Sequence, residues 1–138
     1  MKDLKVVSQA LVMITLSIVV AVSARGASLP GQEAYIRHNY AKAMKEFMAD
    51  NSPRAMYMIG YMYGHGEGVA LDDKAAADWY RKSGEKGFAL AQYRLGMLYE
   101  NGVGGEKDLK ESVKWYKLAA AQGFQPAKDA LKKIAQNK

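Results

Sequence analysis

Between Pro53 and Phe124 the apolar positions follow the period of an α-helix, and the same pattern is written twice. Ala55, Ile59, Met62 and Tyr63 fall at i, i+4, i+7 and i+8, which is one face of a helix. Ala91, Leu95, Leu98 and Tyr99 draw the same face 36 residues later. The step holds through Tyr57 and Tyr93, Gly60 and Gly96, Gly66 and Gly102, Gly68 and Gly104, and Asp72 and Asp108. It continues through Lys74 and Lys110, Trp79 and Trp115, Tyr80 and Tyr116, Gly87 and Gly123, and Phe88 and Phe124. So many coincidences at one ungapped offset mark an internal repeat. A third copy opens at Ala127 and sets Leu131 where Leu95 and Ile59 stand.

Each unit reads as two helices around a glycine loop. The loop is Gly64-His65-Gly66-Glu67-Gly68-Val69 in one copy and Asn101-Gly102-Val103-Gly104-Gly105 in the other. Glycines there break the helix and allow positive φ. Asp72 and Asp108 are placed to cap the second helix, and Glu111, three residues after Asp108, predicts a reciprocal capping box. Gly87 and Gly123 are placed to end that helix in the left-handed conformation. Gly60 and Gly96 lie inside the first helix, where Gly costs ~1 kcal/mol against Ala. A cost incurred twice predicts a neighbouring helix that crosses too close for a side chain.

Upstream, residues 32–48 read as one further helix, the degenerate second half of a preceding unit. Asn51 stands 36 residues before Gly87 and shares its tolerance of the left-handed cap. Ser52 and Pro53 read as N-cap and first helical residue, and Pro126 plays the same opening role downstream. The division predicted is residues 25–52 as an N-terminal half-repeat helix, 53–88 and 89–124 as two repeats, and 125–138 as a capping helix. Lys128, Lys132 and Lys133 give that last helix the polar face that a terminal unit needs. So short a stack is expected to gain stability from weak self-association or from a partner.

Residues 1–24 read as a signal peptide. Lys2 and Lys5 form a positive start, an apolar run follows, and Val22-Ser23-Ala24 offers a small-residue cleavage site. The run is short for a transmembrane helix, which needs about 20 residues, so membrane attachment is expected only if the segment stays uncleaved. The expected destination is the periplasm or the outside of a bacterial cell.

Composition changes this picture little. The chain of 138 residues is 49% hydrophobic and 25% charged, an ordinary globular balance, with a net charge of +6. It has no cysteine, which excludes disulfides, thiolate chemistry and Cys-based zinc sites. Ser83-Gly84-Glu85-Lys86 matches the Ser-x-x-Lys of penicillin-recognising enzymes, but Ser83 aligns with Ala119 and reads as a small buried residue. Gly64, Gly66 and Gly68 imitate a phosphate loop, yet a helix precedes them where a nucleotide loop would follow a strand. His38 and His65 lack companions at metal-ligand spacing, and the Trp and Tyr stripes fall on core positions. No cofactor, metal or nucleic acid is therefore expected.

Ala-x-Tyr-x-Leu-Gly-x-x-Tyr, Gly-x-Gly, Asp-x-Lys, Trp-Tyr and Gly-Phe in this order resemble the Sel-one-like repeat, a relative of the tetratricopeptide repeat. The likeness is close over residues 91–124 and good over 55–88; Met44, where the repeat would place Tyr, departs from it. The resemblance implies an all-α fold, an α/α solenoid of helix–turn–helix repeats in a right-handed superhelical stack. It also implies an adaptor that binds a protein or peptide segment through a concave face. One exported branch of the family is rich in cysteine, and some of its members are named β-lactamases; this chain lacks cysteine and departs from that branch. The function expected is an exported binding scaffold and not an enzyme, the alternatives being a β-lactamase-like or cell-wall-directed enzyme and a structural envelope protein. On the helical wheel Met58, Tyr61, Arg94 and Met97 lie off the core face and are the expected partner contacts, while Tyr57 and Tyr93 are expected to pack between units.

Overall fold

The computed structural model describes residues 28–137. The segment read as a signal peptide lies outside them. Among the described residues seven helices follow one another: α1 (Gln32–Ile36), α2 (Tyr40–Asp50), α3 (Pro53–His65), α4 (Asp73–Glu85), α5 (Ala89–Asn101), α6 (Leu109–Ala121) and α7 (Gln125–Gln136). No strand occurs among the described residues, and no helix there is long and apolar enough to cross a membrane. Every helix packs against the one before it, so the molecule is a one-dimensional stack whose units touch only their neighbours. The fold is an α/α solenoid, as expected.

The helix ends follow from local chemistry. Ser52 accepts the N–H of Ala55 at 3.2 Å, with Pro53 as the first helical residue of α3. Asp72 accepts the N–H of Ala75 at 2.9 Å in the same way. At the far end of α4, Phe88 N–H reaches the Ser83 carbonyl (3.2 Å) and Gly87 N–H that of Gly84 (3.0 Å). α6 repeats this with Phe124 on Ala119 (3.2 Å) and Gly123 on Ala120 (3.0 Å), the paired closure that requires a left-handed residue. Gly87 and Gly123 supply it at φ 89° and 85°. The Gly-Phe pair therefore turns the chain and sets each Phe ring against a tyrosine, Phe88 on Tyr57 at 5.5 Å and Phe124 on Tyr93 at 5.3 Å between centroids.

Three expectations need correction. Residues 32–48 form two helices, not one: α1 stops at Ile36 and α2 starts at Tyr40. The break is again a paired closure, with Asn39 N–H on the Ala34 carbonyl (2.8 Å) and His38 N–H on that of Tyr35 (2.9 Å). Here the left-handed residue is His38 at φ 58°, a conformation a non-glycine residue adopts at some cost. Asn39 then caps α2 by accepting Lys42 N–H at 3.2 Å. Second, the capping box at Asp108 is half formed. Asp108 accepts the N–H groups of Lys110 and Glu111, but its own N–H already donates to the Tyr99 carbonyl at 2.9 Å. Glu111 pairs instead with Lys114 at 3.2 Å. Third, Pro126 is the second residue of α7, after Gln125.

The buried glycines meet a ring rather than a helix backbone alone. A Cβ on Gly60 would lie 2.9 Å from the Tyr80 ring, and one on Gly96 would lie 2.6 Å from the Tyr116 ring. Each of these rings, from the second helix, thus packs directly on a glycine of the first helix of its own unit. The later glycine of the Gly-x-Gly in each loop joins neighbouring units: Gly68 abuts Tyr40 at the start of α2, and Gly104 abuts the backbone of Asp73 at the start of α4. Lys132 occupies the register of Gly60 and Gly96, so α7 has no gap for a further tyrosine ring. Ala127 is buried against α6, while Lys128, Lys132 and Lys133 are exposed.

Ala55, Ile59 and Met62 form the core with Phe47 and Ala43 of α2; Ala91 and Leu95 are buried at the matching positions of the next unit. Ser83 is fully buried, and its hydroxyl donates to the Pro53 carbonyl at 2.5 Å. It joins the end of α4 to the start of α3 and is a structural contact. Ser83→Ala should cost about 1 kcal/mol of unfolding free energy, the worth of one such hydrogen bond, measured by urea denaturation.

Gly96→Ala should destabilise by about 1–3 kcal/mol, because the new methyl overlaps the Tyr116 ring, even though helix propensity alone favours Ala by ~1 kcal/mol. Gly64→Ala should do the reverse, since a Cβ there meets only the Ala76 methyl at 3.5 Å, an ordinary contact. Opposite shifts of the urea midpoint for these two glycines are the expected result.

Candidate functional site

Met58 and Tyr61 stand one turn apart on α3, and Arg94 and Met97 occupy the same two register positions on α5. Tyr57 is buried beneath Tyr80 and Phe88, and Tyr93 is half-buried against Tyr116 and Phe124, so both pack into the stack as expected. The four candidate contacts remain half-buried. Met58 lies against both the first and second core clusters. Tyr61 stacks on His65, with centroids 3.9 Å apart and planes 17° from parallel. His65 Nδ1 sits 2.8 Å from the Tyr61 carbonyl. A carbonyl only accepts, so this nitrogen carries the proton.

Arg94 and Met97 share one cleft of about 210 Å³, which His65, Gly64, Asp73, Ala76, Tyr80, Leu98 and Val103 complete. Tyr61 reaches its rim through the stacked His65, while Met58 stands apart from it. A second, wider cleft of about 550 Å³ opens between α5, α6 and α7 and is lined by Tyr93, Met97, Glu100, Asn101, Tyr116, Pro126, Asp129, Ala130 and Lys133. The two are the same cleft moved on by one repeat. Residues 65, 80, 94 and 97 of the first become residues 101, 116, 130 and 133 of the second, a step of 36. Met97 lines both. Their chemistry differs where the repeat is broken. Ala130 replaces Arg94, which widens the second cleft, and Glu100 replaces Gly64. Tyr116 uses that carboxylate, donating to Glu100 Oε2 at 2.6 Å; burial and this bond together hold its phenol well above the ordinary tyrosine range.

Arg94 is electrostatically distinctive. Its Nε is buried and has no hydrogen-bond partner, and among the described residues no carboxylate lies within ion-pair distance of it. Burial acts to lower its pKa, but contact with the Tyr57 phenol and the nearby Tyr80 and Tyr93 hold it above the ordinary arginine value, so it stays charged. Tyr80 is itself raised, by burial first and by Tyr57 second, with Arg94 opposing.

Sequence reading missed His65, Tyr35, Asp129 and Lys133 as contributors. Tyr35 lies edge-on to Tyr61 at 6.4 Å and donates to Glu67 at 2.5 Å, carrying the aromatic surface back to α1. Asp129 and Lys133 were legible in principle, because they stand 36 residues after Tyr93 and Met97; reading α7 only as a polar cap concealed them. The loop glycines serve the turns and the contacts between units. Among the described residues no three His, Asp or Glu side chains converge on a metal position.

Comparison with known proteins agrees with this geometry. The model of the Sel1 repeat matches residues 53–88 and 89–124. A Sel1 repeat protein from Oxalobacter formigenes has 40% identity and a TM-score of 0.73, covering 75% of this chain and 44% of its own length. The protein c5321, a protective antigen of uropathogenic Escherichia coli strains with an SLR fold, has 32% identity and a TM-score of 0.66, covering 69% of this chain and 21% of its own. The chain thus spans less than half the length of either. Cysteine rich protein B of Helicobacter pylori shares the fold at 24% identity, with a TM-score of 0.63 over 66% of this chain and 71% of its own. No curated protein matches the chain. With two matched units covering more than half of its residues, the chain belongs to the Sel1 repeat family, whose members are typically protein-interaction scaffolds and generally non-catalytic.

Proposed function

We propose that this protein is an exported scaffold that holds a protein or peptide segment along the face built by α3 and α5. The observation that carries the reading is the recurrence of one inter-unit cleft at successive repeats on the same side of the stack. A row of equivalent clefts suits an extended segment, which offers side chains at regular intervals. The side chains that face it are tyrosine, methionine and arginine, the types enriched at interfaces. Methionine adds adaptability to varied partners. Met58, Tyr61, Arg94 and Met97 are the assigned contacts. The charged, apolar and small-residue pattern of residues 1–24 supports export, with the mature chain starting at Arg25.

Photo-crosslinking in the native compartment tests the reading. Benzoylphenylalanine at positions 61 and 97 should capture a defined protein at several times the yield obtained at the exposed Leu118 of α6. With the crosslinker at position 97, Met58→Ser combined with Tyr61→Ala should abolish that capture while the chain stays helical by circular dichroism. Equal yields at all three positions would overturn it. The intact mass of the exported chain should correspond to a start at Arg25.

A further inference from the structure

The geometry points to Arg94 as a receptor for a single carboxylate of the bound segment. This rests on the scaffold reading and adds the chemistry of the group recognised.

Three observations converge on it. The first is the state of the side chain. A half-buried guanidinium without a carboxylate partner is costly, and a buried N–H donor left unmade costs more than a hydrogen bond gains. An anion arriving at the accessible side of the guanidinium would remove the first of these penalties. The second is space. The cleft beside Arg94 measures about 210 Å³, several times the ~30 Å³ share of one water. It accommodates a carboxylate together with a short apolar side chain against Met97 and Tyr80. The third is the repeat itself, which acts as an internal control. The equivalent positions carry Met58 and Ala130, so the arginine is no requirement of the fold.

The charge balance selects a carboxylate over a phosphate. Arg94 is the one arginine or lysine lining this cleft, and Asp73 on its wall adds a negative charge. One cation facing one fixed anion favours a monoanion and repels a dianion. The planar fork of arginine suits two-point recognition of a carboxylate.

Three acetylated tetrapeptides serve as probes: Ala-Leu-Ala-Leu with a free C-terminal carboxylate, the same peptide as its amide, and Ala-Leu-Glu-Leu as an amide. Each is titrated against the labelled chain while the Arg94 Nε–H and Met97 methyl resonances are followed by NMR. A saturable shift of both resonances with either acid, at least tenfold tighter than with the uncharged amide, is the expected result. Response to the terminal acid alone identifies a chain end as the recognised group, and response to the glutamate peptide alone identifies a side chain. Arg94→Gln should weaken the Met97 response tenfold or more without lowering the melting temperature. Equal responses to acid and amide, a stronger response to inorganic phosphate, or an unchanged response in Arg94→Gln would each overturn the assignment. If these fail while crosslinks at positions 61 and 97 persist, carboxylate recognition falls and the scaffold stands. If the crosslinks are lost as well, the scaffold reading falls with it.

Discussion

The stack depends on a tyrosine ring packed directly on a glycine. Tyr80 covers Gly60 and Tyr116 covers Gly96, each at a separation that leaves no room for a methyl group. This contact sets how closely the two helices of a unit approach. It also sets where the remaining rings fall, because Tyr57 packs on Tyr80 and Tyr93 on Tyr116, with centroids 5.3 and 5.6 Å apart. Phe88 and Phe124 close the other side of these clusters. A helix cost of ~1 kcal/mol at each glycine is offset by the area of an aromatic ring removed from water.

The clefts follow from the same arrangement. Tyr80 and Tyr116 serve twice, as packing elements within a unit and as walls of the cleft facing the next unit. A surface made this way is preorganised, because its walls are fixed by the core and cannot collapse independently. Between the two full units the ring contact is unchanged, and the cleft varies at other positions. Gly64 becomes Glu100, and Met58 becomes Arg94 and then Ala130, so that neighbouring clefts differ in width and in charge. Binding specificity in such a stack resides where the repeat departs from itself.

How much was legible varies with the range of the interaction. The caps at Ser52, Asp72 and Asp108 and the turns at Gly87 and Gly123 are local, and they form where the residue types predict. The half-formed box at Asp108 shows the limit. Its N–H was taken by Tyr99, a partner that only the return of the chain supplies. The break at His38 was concealed for a similar reason. A histidine is an unusual left-handed residue, and the neighbouring Tyr40 hydroxyl, 2.8 Å from its ring nitrogen, lies beyond the turn that it makes.

By itself the sequence determined the repeat, its 36-residue step, the helix pair in each unit and the core face of each helix. Periodicity and capping are written in neighbouring residues, and an offset can be counted without knowing the fold. Tertiary structure decided what the glycines receive, which of the four candidate contacts share a cleft, and that the Nε of Arg94 is buried without a partner. Those facts depend on atoms brought together across helices, where a difference of one ångström separates an ordinary contact from an overlap.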